Sequence, residues 1–171
     1  KELVTPLQSD ALGNESIEIG LGRPPFVSDV LSSFPIRRDK LVIAVPTGHQ
    51  LGRDDTQVSL DDIKNHPMIM YSPNDAKYFH NLVTLELGID PNQGEYQVTQ
   101  ATTILALVAQ GLGIAIVPSS TMSLERSDVQ YLDIAERTET NVELHAAWHV
   151  RSKNPALKPV LEILRAIGTP G

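Results

Sequence analysis

Three short stretches set hydroxyl, amide and guanidinium groups where a small anion could be held. Thr5-Pro6-Leu7-Gln8 has the form of a helix start, with Thr at the N-cap, Pro at the first position and Gln placed to complete a capping box. Ser72-Pro73-Asn74-Asp75 reads as a turn whose Asn or Asp caps the helix that follows. Thr99-Gln100 opens a third helix. Free amides and the positive end of the helix dipole suit an anion such as a small carboxylate. A hydroxyl that caps its own helix is partly unavailable to a ligand, so the two roles compete. Arg23 precedes Pro24-Pro25, and Arg37-Arg38 precedes an apolar strand. Arginine grips a carboxylate bidentately, although surface ion pairs use it as well. Arg23 is the stronger candidate because the prolines after it fix the backbone.

Other chemistries find little support. With no Cys there is neither a disulfide framework nor a thiol nucleophile. His145 and His149 fall on one face of an expected strand but about 13 Å apart along it, too far to share a metal. His49 reads as a turn residue, and His66 and His80 complete no metal spacing. Ser119-Ser120 follows a strand, but GIAIVPSS is not a nucleophile elbow. The glycines of GLGIAI precede a strand instead of joining strand to helix, so they are no dinucleotide fingerprint. The expectation is a binding protein without catalytic residues, cofactor or metal.

Val98–Pro118 is the stretch around which the elements are organised. No residue from Tyr96 to Leu124 is charged, in a chain with 20% charged residues. Ile104, Leu107 and Val108 share a helical face, Gly111 falls at a left-handed cap, and Ile114–Val117 reads as a buried strand. Upstream, Leu7, Ala11 and Leu12 form the inner face of the first helix, which ends at Gly13-Asn14. A strand is expected over Ile17–Leu21, loop or edge material over Phe26–Ser33, and a strand over Lys40–Val45. Ser59-Leu60-Asp61-Asp62 is a capping box for a short helix. Met68–Tyr71 is a strand set between Pro67 and Ser72. Phe79, Leu82, Val83 and Leu87 face inward on a helix closed by Gly88, and strand Glu95–Val98 follows. The pattern from Leu41 to Pro118 alternates strand and helix, the rhythm of a parallel sheet. Val129–Leu132 and Val142–Val150 are strands, with polar Glu136–Thr140 between them. The last helix turns Leu157, Val160, Leu161, Leu164 and Ile167 inward, with Pro159 in its first turn.

The 171 residues and 41% hydrophobic content suffice for one compact domain or two small lobes. The middle block holds a complete α/β layer. Neither flank is a domain alone, so residues 1–40 and 141–171 are expected to form one subdomain and 41–140 the other. Two chain crossings, near Arg38–Leu41 and Thr140–Leu144, would join them, with a small-molecule cleft between the lobes. The net charge of -7 argues against nucleic-acid or anionic-membrane binding by bulk electrostatics. Ile104–Val117 is shorter than the roughly 20 apolar residues a membrane span needs. KELVTPLQ reads as the middle of a domain, so the chain is expected to be a fragment.

With these residues in place, the sequence resembles the effector-binding domain of LysR-type transcriptional regulators. The resemblance rests on ELVTPLQSDAL…IEIGLGRPP, RRDKLVIAVPTGHQL, VSLDDIKNHPMIMY, the distinctive ILALVAQGLGIAIVPSS, and VELHAAWHVRSKNPALKPVLEILR, and it spans essentially the whole chain. It implies an α/β fold of the type 2 periplasmic-binding-protein kind, with two subdomains joined by two crossings and the N-terminal part of the domain missing. The sequence looks most like regulators of benzoate, catechol and muconate degradation. That group implies that Thr5 meets a ligand carboxylate and that Arg23 and Arg37 belong to a second acid-binding pocket. It also implies that the Ser72–Phe79 segment, including Asn74 and Ala76, touches the main ligand. Thr99 joins these on the strength of its helix start. The implied partners are a small organic acid effector, further copies in a homodimer or homotetramer, and promoter DNA held only through a missing helix-turn-helix. A cytoplasmic location without membrane contact follows from the same resemblance. A solute-binding protein of the same fold is the alternative, ahead of a small α/β enzyme or a purely oligomerising domain.

Overall fold

The computed structural model describes residues 3, 5–26, 28–53, 57–136 and 142–168. They divide into two units, Lys1–Asp39 with Val142–Gly171, and Lys40–Asn141. In chain order the first unit opens with α1 (Thr5–Gly13), β1 (Ile19–Gly22) and β2 (Leu31–Asp39). The second holds β3 (Leu41–Pro46), β4 (Gln57–Val58), α2 (Leu60–Ile63), β5 (Met68–Tyr71) and α3 (Lys77–Asn81). It continues with β6 (Gly94–Val98), α4 (Ala101–Ala109), β7 (Ala115–Pro118) and β8 (Val129–Ile134). The chain then returns to the first unit for β9 (Val142–His149) and α5 (Leu157–Ile167).

In the second unit, Leu41–Val45 can be apolar without a break because β3 is covered on both faces and flanked on both edges. Its neighbours are β7 on one edge and β8 on the other, and β4 lies beyond β8. β5 pairs in parallel with β6 and joins β7 through a parallel bridge between Met68 and Ile114. At that bridge Ile69 N–H donates to Ile114 O and Ile114 N–H to Pro67 O, both at 2.9 Å. α4 lies on this sheet with Ile104, Leu105 and Val108 fully buried. Leu105 therefore joins the apolar face, while Leu107 is only half-buried. Gly111, at φ +71°, ends α4 as expected. Gly113 brings the backbone so close to the next strand that a Cβ there would stand 2.7 Å from Pro67 O. The Ser59 capping box is formed in full: Ser59 Oγ accepts Asp62 N–H, and Asp62 accepts Ser59 N–H.

The expected parallel rhythm is corrected in part. β4–β8 and β5–β6 are parallel, but β3 runs antiparallel to both β7 and β8. Strand–helix alternation does not say which strands become neighbours. Here β8 passes over β7 to take the far edge of β3.

In the first unit, β9 is the middle strand, antiparallel to β1 on one side and β2 on the other. α1 packs on one face, where Gly20 admits it; a Cβ there would fall 2.6 Å from Gln8 Oε1 and 3.2 Å from Leu12 Cδ1. Elsewhere the Phe34 ring meets Trp148 edge-on at 5.6 Å and carries the Arg165 guanidinium of α5 at 4.6 Å. Three expectations fail here. Leu31–Asp39 is a long edge strand with a bulge between Pro35 and Arg37, where loop or edge material was expected over Phe26–Ser33 and no strand before Lys40. Leu7 is 54% exposed, because Ala11 and Leu12 alone fill the gap beneath α1. On α5 only Leu161 is buried; Val160 and Ile167 are 39% and 68% exposed, since the helix packs mainly over β2 at the side of a narrow sheet. Pro159 does fall in the first turn of α5, where its missing N–H costs nothing. Thr140, with the rest of the polar stretch after Glu136, lies outside the described residues.

Candidate functional site

Thr5 does not cap its own helix. It is the first residue of α1, and its Oγ1 accepts the Arg23 N–H at 3.2 Å. Gln8 likewise leaves the capping box: its Nε2 donates to Leu3 O and Leu21 O at 2.8 and 2.9 Å. The tertiary partner has displaced the local one. A hydroxyl that accepts one bond still has its proton to give, so Thr5 is oriented as a donor. Gly22 makes room for this arrangement, since a Cβ there would come 3.1 Å from Thr5 Oγ1 and 3.0 Å from the Phe26 ring. The cis Pro24-Pro25 bond follows directly. Thr5 and Arg23 are thus brought together, whereas Arg37 is an exposed residue of β2 beyond the bulge.

In the second unit the turn after β5 is organised by Ser72, not by Asn74 or Asp75 as expected. Ser72 is 9% exposed, and its Oγ accepts the N–H groups of Asn74 and Asp75 at 3.4 and 3.2 Å while donating to Asp75 Oδ2 at 3.1 Å. Ala76 is the N-cap of α3 and offers it no side-chain bond. Ser72 N–H donates to Val98 O at 2.9 Å, which sets the residue before Thr99 beside this turn. Thr99 itself gives α4 no cap, the N-cap being Gln100. Phe79, half-buried on α3, stacks on Tyr71 with centroids 4.7 Å apart, and His80 Nδ1 meets Tyr71 O at 3.0 Å. Ser72, Asn74, Ala76, Phe79 and Thr99 therefore share one neighbourhood with Asp75, and Tyr71 is a member the sequence reading missed. Two hollows of this unit lie elsewhere. One, of about 150 Å³, is lined by Lys40, Met122 and Tyr131 among others; the second, of about 330 Å³, lies beside Lys64, Gly88 and Asn92.

A further polar row crosses the first unit. Ser33 Oγ and His145 Nδ1 are 3.0 Å apart, His145 Nε2 lies 2.9 Å from Glu143 Oε2, and Arg38 Nε donates to Glu143 Oε1 at 3.0 Å. The bonds from His145 and Arg38 hold the Glu143 carboxyl below the usual carboxylate range. The order hydroxyl, imidazole, carboxylate is that of a catalytic triad. Ser33, however, stands inside a paired strand instead of on the sharp turn that presents a nucleophile, and the row ties β2 to β9. Among the described residues no group of three or more metal-binding side chains occurs, and no helix is long and apolar enough to cross a membrane.

Comparison with known proteins bears on the fold and the family. Residues 1–168 match the family model described as the LysR substrate binding domain. The HTH-type transcriptional regulator BenM of Acinetobacter baylyi is 28% identical over 140 residues, covering 79% of this chain and 45% of that protein. The HTH-type transcriptional regulator AlsR of Bacillus subtilis is 25% identical over 166 residues, covering 95% of this chain and 54% of that protein. The chain thus spans about half the length of these curated relatives. The solved BenM effector binding domain with its effector benzoate shares the fold at a TM-score of 0.81 and 24% identity, over 98% of this chain and 76% of that one. A family match over nearly the whole length, joined to a two-unit α/β architecture, leads to one conclusion: the chain belongs to the LysR substrate binding domain family, the effector-binding part of LysR-type transcriptional regulators.

Proposed function

We propose that the chain senses a small organic acid, and that Thr5 in the first unit and the Ser72–Phe79 segment in the second are each, separately, candidates for meeting it. The observation that carries this reading is the Thr5 hydroxyl, held as an acceptor by Arg23 N–H and left with its proton to donate to a carboxylate. Within the second unit, the Tyr71–Phe79 stack beside the Ser72 turn sets an aromatic wall next to polar groups, the combination that an acid carrying a ring requires. Benzoate, the effector in the BenM structure, and shikimate, bound by the similarly folded QuiR effector domain, set the class to test. Arg23, Arg37 and Thr99 are secondary candidates for the same chemistry. In the full-length protein the effector would act by binding two arrangements of a homodimer or homotetramer unequally. The response would pass to promoter DNA through a helix-turn-helix outside this chain.

Calorimetric titration with benzoate, muconate and shikimate tests the reading. The acid that binds should lose roughly tenfold in affinity on Thr5→Val, the worth of one hydrogen bond to a charged group. Thr5→Ser, which keeps the hydroxyl, should retain binding. Equal affinity in Thr5→Val would remove Thr5 from the site, and failure of all small acids to bind would overturn the ligand class.

A further inference from the structure

We propose that His49 is a proton-operated cap, whose neutral ring holds the turn Gln50–Gly52 closed and whose protonation releases it. The turn links β3 to β4 as a single 3-10 turn with His49 at its N-cap, in extended backbone geometry. His49 Nδ1 accepts the Leu51 N–H at 3.3 Å. An imidazolium has no lone pair, so a protonated ring cannot make this bond. The turn is also tied by Gly52 N–H to His49 O at 3.1 Å, Arg53 N–H to Gln50 O at 3.4 Å and Gln130 Nε2, from β8, to Gly52 O at 3.0 Å.

The surroundings disfavour the charged ring. His66, from the segment after α2, meets His49 edge-on with centroids 5.1 Å apart. Among the described residues, His66 and Arg53 are the titratable or charged groups that act on His49, and Asp62 of α2 interacts with His66. Partial burial first, then His66 and Arg53, push the His49 imidazole below its ordinary value. The same bond excludes a metal role for the pair. With Nδ1 accepting, the neutral ring carries its proton on Nε2 and presents no free lone pair to an ion.

The sign of the response follows. The open turn binds its proton near the ordinary imidazole value of 6.5 and the closed turn binds it lower, so acidification favours opening. Amide hydrogen exchange at Leu51, corrected for the intrinsic rate, should show an opening constant that rises as pH falls below that value and levels off once pH has passed the closed turn's own, lower value. His49→Asn supplies an acceptor that does not titrate and should hold the constant flat over the same range. Nitrogen-15 shifts of His49 in the unaltered chain should show Nε2 protonated at neutral pH. Leu51 protection that ignores the His49 titration, an equal slope in His49→Asn, or a ring protonated on Nδ1 would each overturn the proposal.

Discussion

Replacing Gly113 with alanine should strike the second unit at the seam between β5 and β7. The new Cβ would stand 2.7 Å from Pro67 O and 3.2 Å from Pro67 C, both backbone atoms that cannot swing aside as a side chain would. Pro67 O is also the acceptor of Ile114 N–H, so relieving the clash pulls on the bond that joins the two strands. Gly113 has φ +155°, a value that side chains rarely adopt. Overpacking costs about 1–3 kcal/mol and a disfavoured backbone region adds about 1–3 kcal/mol. Their sum, roughly 2–6 kcal/mol, corresponds to a fall in Tm of roughly 4–24 °C for a chain of this size. Gly111→Ala is the matched control. It too has positive φ, but nothing lies within 4 Å of its Cβ, so only the backbone cost of about 1–2 kcal/mol remains. Urea denaturation followed by circular dichroism gives the two costs, and exchange at the Ile114 amide reports the seam itself. Gly113→Ala costing no more than Gly111→Ala, with Ile114 still protected, would refute the close-approach argument.

Ser59→Ala should cost about 1 kcal/mol, the ordinary worth of an N-cap, with most of it recovered by Ser59→Thr; urea midpoints measure both. Glu143→Gln should flatten the acid limb of the stability curve. The Glu143 carboxyl sits below its unfolded value, so its contribution is present above that value and is lost as pH falls through the folded one. Denaturation midpoints collected between about pH 3 and 6 would show this, and an unchanged acid limb in Glu143→Gln would remove the carboxylate from the row linking β2 and β9.

The elements legible in the sequence were those whose boundaries are local. Met68–Tyr71 is four apolar residues closed by Pro67 on one side and the Ser72 turn on the other, and the strand has those bounds. The Ser59 box and the Gly111 cap depend on residues three or four apart, and both formed. β2 was hidden because Leu31–Asp39 contains Pro35 and three charged residues. It is a strand only because β9, more than a hundred residues later, pairs with it around a bulge. The candidate site divides in the same way. The 72–79 neighbourhood was visible as a turn before an apolar helix. Its true organiser, Ser72, became evident only once Asn74 and Asp75 were seen donating to it. Thr5 stood out in the sequence for its hydroxyl, yet the partner that orients it comes from Arg23, on a segment returned by β1. His49 carried only the signal of a histidine beside a glycine, and nothing local distinguished a capping ring from an idle one.

That β9 is the middle strand of its sheet has a consequence for synthesis. β1 and β2 touch each other only through it, so when they leave the ribosome neither has a partner. The whole second unit is made before Val142 appears, a wait of roughly 5–25 seconds at ordinary translation speeds. During that interval the later-made unit can finish first, while two orphan strands stand open to any passing chaperone or stray peptide edge.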